Sequence, residues 1–445
     1  TSTTTYTFDG WSTTSGGDLV YKNGMTPKAA EGGATYYAHF SATPIPNLTV
    51  ESGETMVLSA PVEYQNLILT SDGIHSGQLL GQNYLTLTGN AYFDYQVNAK
   101  ARFWYQVAVP WKVDARTGIS VNGRTLVLGK DFDVIYYDGS TRAASHVNKA
   151  WTYVEDEDNM MYPGQLYMIS ILSDAPVIRF AKADGAGLLT THTSVAQYNS
   201  DEEKDRGWNA VSNPALFHAY VNSGVEEGQV YIPGEDRYKP MSMSSAKMVV
   251  GQGAYVQVDE GKSIDVSYGG LYNAGAPRRM AAESVNTKFE VRIAPINKEE
   301  TDLVFILTDD SKNPDTYTVG KDLAKMGVST QVAQMWVNRY NMQLCKNTME
   351  PIDGQADYPL GIFAPKDGQY SISILRTGVE QPSDLYLTLD GEIIWNLSKN
   401  AYTLQLEKGT TSRYGLRTVS KAPQTTTDIE PIWVDPEGNA IKAAK

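Results

Sequence analysis

Arg102-Phe103-Trp104-Tyr105-Gln106-Val107-Ala108-Val109-Pro110 returns 104 residues further on as Arg206-Gly207-Trp208-Asn209-Ala210-Val211-Ser212-Asn213-Pro214, with Arg, Trp, Val and Pro at the same offsets. Each copy is followed by a Gly-Gln word: Pro163-Gly164-Gln165-Leu166-Tyr167-Met168-Ile169 after the first, Val250-Gly251-Gln252-Gly253-Ala254-Tyr255-Val256 after the second. A tight glycine turn leading into an apolar strand suits a hairpin that holds two sheets together. The middle of the chain therefore reads as one β unit used twice, a first β-sandwich over 100–200 and a duplicate over 201–285. Core positions are expected for Trp104 and Trp208.

Working outward, Asn47-Leu48-Thr49-Val50, Asn66-Leu67-Ile68-Leu69-Thr70 and Tyr84-Leu85-Thr86-Leu87-Thr88 lie 19 and 18 residues apart. That spacing, with turns at Ser71-Asp72-Gly73 and Gly89-Asn90, predicts β-solenoid-like coils over 44–99, an edge-to-edge meander being the alternative. Short alternating strands at intervals near ten residues predict a C-terminal sandwich of jelly-roll type over 286–422, with a short helix near Lys321 to Met326. Residues 1–43 alternate at both ends around glycine-rich turns, and 423–445 read as a linker.

Composition agrees with an all-β class. The 445 residues contain 28 Tyr, 38 Gly and 20 Pro with only 20% charged residues, which favours strands and tight turns. A net charge of −14 repels phosphate backbones and anionic lipid, so no nucleic-acid partner is expected. No run reaches the roughly 18–20 apolar residues of a membrane-spanning helix, so no membrane insertion is expected. Cys345, the single cysteine, excludes an intrachain disulfide framework and is expected to be a buried structural thiol. The start at Thr1, with neither Met nor a signal-like segment, suggests a processed product or a portion of a longer chain.

Chemistry is thinly marked. The five histidines are scattered, and no Gly-x-Ser-x-Gly elbow or phosphate-binding glycine loop occurs. The run Glu155-Asp156-Glu157-Asp158 is the candidate Ca²⁺ site, since calcium takes six to eight oxygens from loops; a solvated loop is the plainer reading. No other cofactor is expected. Tyr136, Tyr137 and Trp151 stand near the turn Asp138-Gly139 and are the candidate sugar-stacking residues; a core role is the plainer reading.

Several words resemble known modules. Tyr-Thr-Phe-x-Gly-Trp (Tyr6 to Trp11) and Thr-Tyr-Tyr-Ala-x-Phe (Thr35 to Phe40) resemble the latter part of a Listeria-Bacteroides repeat. The order of coil-like strands, Gly-Trp-Asn-x-Val-x-Asn-Pro (Gly207 to Pro214), Val-Gly-Gln-Gly-Ala-Tyr-Val (Val250 to Val256), and Asn-Ala-Tyr-Thr-Leu-Gln-Leu-Glu-Lys-Gly-Thr-Thr-Ser-Arg-Tyr-Gly-Leu-Arg (Asn400 to Arg417) resembles the C-terminal region of large secreted or surface proteins of the Bacteroidetes. The resemblance implies display at the cell surface or release outside it. It implies export through the type IX system or a related route, with the export machinery as partner through a sorting domain that would begin where this chain stops. It implies no reaction.

The expectation is a non-enzymatic, adhesin-like stalk or scaffold whose partner is a glycan or a surface protein. A carbohydrate-binding module using exposed aromatics, assisted by Ca²⁺, is the alternative, and a glycoside hydrolase-associated module is third.

Overall fold

The computed structural model describes all residues except 1–3, 28–32, 45–46, 147–149, 189–191, 219–226, 233–236, 244–247, 259–263, 268–287, 311, 314, 376–380, 422–432, 435–439 and 442–445. The chain is nearly all β, with one α-helix among the described residues. None of these is a helix long and apolar enough to cross a membrane. Two compact units are present, one built from 1–277 with 318–320 and 326–329, the other from 278–317, 321–325 and 330–445.

In the first unit, Thr4–Ser12 lies between Tyr21–Lys22 and Tyr37–Pro44 in an antiparallel sheet. Coils follow. Strands β1 (Asn47–Val50), β2 (Thr55–Val57) and β3 (Val62–Tyr64) form the first turn of a parallel solenoid. Strands β4 (Asn66–Ser71), β5 (Gln78–Leu80) and β6 (Leu85–Leu87) form the second, and β7 (Ala91–Tyr95) begins a third. Each strand pairs in parallel with its counterpart one turn away: Asn47 with Asn66, Thr55 with Gln78, Val62 with Leu85 and Leu67 with Ala91. Asn66 carries the stack by donating Nδ2 to Asn47 Oδ1 at 2.8 Å while its own Oδ1 accepts the Asn90 amide at 2.9 Å.

The spacing expected from the sequence is corrected here. The first step is 19 residues, but Thr55 to Gln78 and Val62 to Leu85 are steps of 23. The extra residues form a turn closed by Asp72 N–His75 O (3.1 Å) and Gly77 N–Thr70 O (2.9 Å). The Leu85-Thr86-Leu87 stretch is therefore the third face of the second coil, and Tyr92-Phe93-Asp94 supplies the third coil. The solenoid sheet continues through β12 (Ile178–Ala181), which pairs antiparallel with β7. One core joins Leu67, Leu69 and Phe93 of the coils to Val107, Phe132, Ile169 and Phe180, so the line at residue 99 falls inside a shared core.

The duplicated segments fold alike. The first copy has β8 (Trp104–Ala108), β9 (Phe132–Tyr137), β10 (Trp151–Tyr153) and β11 (Leu166–Ile171) in the order β8-β11-β9-β10. The second has β13 (Trp208–Ser212), β14 (Glu227–Ile232), β15 (Arg237–Ser242) and β16 (Gly253–Gln257) in the order β13-β16-β14-β15. Both are strand one beside strand four beside strand two beside strand three. Trp104 and Trp208 each open strand one; Trp208 is fully buried and Trp104 half-buried. Gly164 and Gly251 adopt φ of 89° and 85°, the left-handed region that glycine enters without a Cβ penalty.

In the second unit, β17 (Lys288–Pro295), β18 (Asp302–Thr308), β19 (Leu323–Ala324), β20 (Gln334–Arg339), β21 (Met342–Met349), β22 (Gln355–Ala364) and β23 (Gly368–Ile374) come first. The series ends with β24 (Ser383–Leu389), β25 (Glu392–Asn396), β26 (Tyr402–Leu406), β27 (Gly409–Thr411) and β28 (Tyr414–Ser420). They make one sheet, in the order β25-β24-β28-β22-β20-β21-β18-β17-β23-β26. Strand β22 is shared: residues 355–359 pair with β28 and 360–363 with β20, the change coming just after Pro359, which has no amide to donate. Because β26 pairs with β23 and β27 with β22, while Glu407 and Lys408 alone separate β26 from β27, the sheet nearly closes on itself. Cys345 is buried on β21.

The helix expected near Lys321 to Met326 is absent. Tertiary partners override the local pattern: Leu323 and Ala324 pair with β21, Lys325 N reaches Gln343 O (2.8 Å), and Lys325 Nζ binds Asp302 at 2.7 Å with both groups fully buried. The linker expected over 423–445 lies mostly outside the described residues; Trp433–Val434 and Ala440–Ile441 pair as a two-stranded ribbon.

A Cβ on Gly251 would sit 2.4 Å from Phe93 Cζ, at a φ that L-residues avoid. Gly251→Ala is expected to destabilise the first unit by about 2–4 kcal/mol, measured as a fall in its denaturant midpoint; an unchanged midpoint would show the turn to be slack.

Candidate functional site

The two copies meet through aromatic side chains at equivalent places. Tyr137 of β9 stands opposite Trp151 of β10, and Tyr231 of β14 opposite Tyr238 of β15. Tyr255 of β16 joins the two pairs: its ring lies 5.5 Å from Tyr137, 6.0 Å from Trp151 and 5.3 Å from Tyr238, each edge to face. Such T-shaped pairs place ring edges on ring faces and add to the area they bury.

This placement corrects the exposed platform expected from Tyr136, Tyr137 and Trp151. Tyr137 is 5% exposed and belongs to the core, and Trp151 is half-buried against it at 5.4 Å. Tyr136 points to the other face of the same strand, half-buried, where its hydroxyl donates to Glu157 at 3.3 Å. Alternation along β9 separates the two neighbours.

The acidic run lies on the turn after β10. Its carboxylates serve separate local bonds: Glu157 accepts from Tyr136, and Asp158 accepts from the Tyr162 hydroxyl and from Met160 N (3.0 Å). The Tyr162 bond is the main cause that holds Asp158 below the usual carboxylate range. Glu155, Glu157 and Asp158 are exposed, and the side chain of Asp156 is outside the described set. No group of three or more His, Cys, Asp or Glu converges among the described residues.

A polar cluster that linear reading missed lies beside the rings. Asp138 caps the helix α1 (Gly139–Ser145), accepting Ser140 N at 2.9 Å and Thr141 N at 3.3 Å. The helix points Arg142 inward, where Nε donates to Asp205 Oδ1 (3.1 Å), Nη1 to the Tyr137 hydroxyl (3.1 Å) and Nη2 to Lys204 O (3.2 Å). The guanidinium also lies 4.4 Å from the Trp208 ring, a cation–π contact. Around Asp205 Oδ2 stand Lys204 Nζ at 3.1 Å and His146 Nδ1 at 3.5 Å, and His146 Nε2 faces Asp201 at 3.2 Å. Arg142 and Asp205 are 63 positions apart, so no local signal joins them.

Among the described residues of the second unit the exposed aromatic is Trp395, 40% accessible on the hairpin β24–β25, with Tyr402 at 5.5 Å and its indole N–H bonded to Asn400 O at 3.0 Å. A shallow groove on the same unit, between β17 and β23, is lined by Arg292, Lys298, Glu299, Glu300, Ser371 and Ser373 among others, with no aromatic ring. Arg292 is already engaged there by Glu290 (2.7 Å) and Glu300 (3.4 Å).

Comparison with known proteins returned no matching family model, no matching curated protein and no matching solved structure.

Two predictions follow from the ring cluster. The Tyr255 hydroxyl is buried with no hydrogen-bond partner, so Tyr255→Phe should match or exceed wild-type stability, whereas Tyr137→Ala should cost about 3–5 kcal/mol. Thermal melts decide, and equal losses for both would refute the core assignment. Burial raises the Tyr137 and Tyr255 phenols above their ordinary value. A raised folded-state pKa gives stability that is full below the unfolded value of about 10 and lost as pH climbs past it. Denaturant midpoints between pH 9 and 11 should therefore fall, less steeply in Tyr255→Phe, with phenolate absorbance from these rings appearing only on unfolding.

Proposed function

We propose that the chain is a non-enzymatic, surface-displayed or secreted scaffold, an adhesin-like stalk built from tandem β units. The observation that carries this reading is the joining of the two copies by their own aromatic rings. Tyr137 and Trp151, two of the candidate stacking residues, are committed to holding one repeat on the other. The parallel coils sharing a core with the first copy extend the same economy of construction, in which each β layer is buried by the next. On the resemblance of its sequence words, the stalk belongs outside the cell, with the export machinery as a partner.

A second reading, a carbohydrate-binding module, is favoured by one feature, the exposed Trp395 beside Tyr402, because an indole face next to a phenol can stack on a sugar ring. A glycan array probed with the 445-residue chain, with and without EDTA, separates the two. Silence in both conditions is the expected result. Saturable binding that disappears in Trp395→Ala would replace the scaffold with a lectin, and sensitivity to EDTA would add Ca²⁺ to it.

A further inference from the structure

Lys312, in the segment after β18, is one of the largest fully buried side chains of the protein. Its Nζ lies 2.9 Å from Asp322 Oδ2 and also faces the carbonyls of Asn313 (3.2 Å) and Thr316 and the Tyr340 hydroxyl (3.4 Å). The second oxygen of the same carboxylate, Asp322 Oδ1, accepts Asn347 Nδ2 at 2.9 Å and Thr348 N at 3.0 Å. Asp322 and Asn347 are themselves buried, and the Tyr340 ring, 5.4 Å from Lys312 Nζ, packs edge-on against Tyr317. One carboxylate thus bridges an amine and a side-chain amide inside a dry, aromatic-walled site. A plain ion pair explains Lys312 and Asp322. It does not explain Asn347 Oδ1, which is buried with no hydrogen-bond partner.

The geometry points to an intramolecular amide cross-link between Lys312 and Asn347, formed by the protein itself with Asp322 as the group that moves the protons. In the proposed reaction Nζ first gives a proton to Asp322 Oδ2, which frees the amine lone pair and leaves a neutral pair that costs less to bury than two charges. The Asn347 amide, turned over within the same space, places Oδ1 on the protonated acid and polarises its carbonyl. The Nζ lone pair attacks Cγ, the Cγ–Nδ2 bond breaks, and Asp322 relays the amine proton to the departing nitrogen, which leaves as ammonia. Amine plus amide give substituted amide plus ammonia, with no redox change and no co-reactant. Fixed proximity is what makes so unreactive a pair condense. The neighbouring buried pair, Lys325 with Asp302, whose carboxylate accepts the Met335 backbone amide at 2.9 Å where Asp322 accepts a side-chain amide, serves as an internal contrast. The link would tie the 309–325 segment to the central strand β21. It goes beyond the scaffold reading and stands without it.

Intact-mass measurement of the purified full chain tests this. The expected mass is about 17 Da, one ammonia, below that of the sequence, with a branched peptide joining Lys312 to Asn347 in a protease digest. Lys312→Arg, which keeps a cation against Asp322 and so keeps the fold, should have its full sequence mass. A folded wild-type chain at full mass after prolonged incubation overturns the proposal. So does a deficit mapped to a succinimide at Asn23-Gly24 or Asn122-Gly123, which hydroxylamine cleaves and an amide cross-link survives. Persistence of the branched peptide in Asp322→Ala would overturn the role given to Asp322.

Discussion

Two reciprocal hydrogen bonds set the arrangement of the first unit. Ala108 N donates to Gly251 O and Ser212 N to Gly164 O, each at 2.9 Å. Ala108 and Ser212 occupy the same offset in the repeated nonapeptide, and Gly164 and Gly251 the same place in the Gly-Gln word. Each copy therefore gives the end of its first strand to the glycine turn of the other, the self-complementary contact of a two-fold dimer enclosed in one chain. Everything packed near it obeys that constraint. Both glycines are left-handed, and the cross-strand ring pairs of the two copies are joined edge to face through Tyr255. Gln106 bridges the seam as well, its Nε2 on Gly253 O at 2.9 Å and its Oε1 accepting Tyr231 N at 3.0 Å.

Buried charge plays a different part in each unit. Arg142 reaches Asp205 across 63 residues and fixes helix α1 to the 3-10 turn that leads into the second copy. Replacing such a pair with apolar residues is often neutral, while removing one partner strands a charge and costs about 3–5 kcal/mol. Its role is thus better described as selecting one docking of α1 than as adding stability. The fully buried Lys325–Asp302 and Lys312–Asp322 pairs do the same in the second unit, holding Lys312 and 321–325 against β18 and β21.

The sequence was legible where the signal is local and repeats. The Arg-x-Trp and Gly-Gln words mark strands one and four of two sheets with the same order, and alternation identified most strands of 286–422 as β. Legibility failed where the deciding partner is distant. Leu85 and Leu87 look like another coil because any Leu-x-Leu strand does, and only the parallel pairing with Val62 to Tyr64 shows them to be a third face. Lys321 to Met326 has helical residues but is held extended by β21. Tyr137 was indistinguishable in sequence from an exposed ring, since Tyr255, whose ring packs on it, comes more than a hundred positions later. Trp395 lacked any neighbouring motif, and its exposure follows only from lying on an edge hairpin.

Duplication within one chain also bears on where recognition can evolve. Two copies joined by a covalent segment meet at an effective concentration far above that of free partners, so even a modest self-complementary patch stays closed. Residues in that patch are then constrained twice, once in each copy, and changes there must suit both sheets. Features outside the repeat carry no such burden. Helix α1, inserted between strands two and three of the first copy, and the hairpin bearing Trp395 in the second unit each occur once among the described residues. Freedom to vary lies in such single elements, which need not suit two sheets at once.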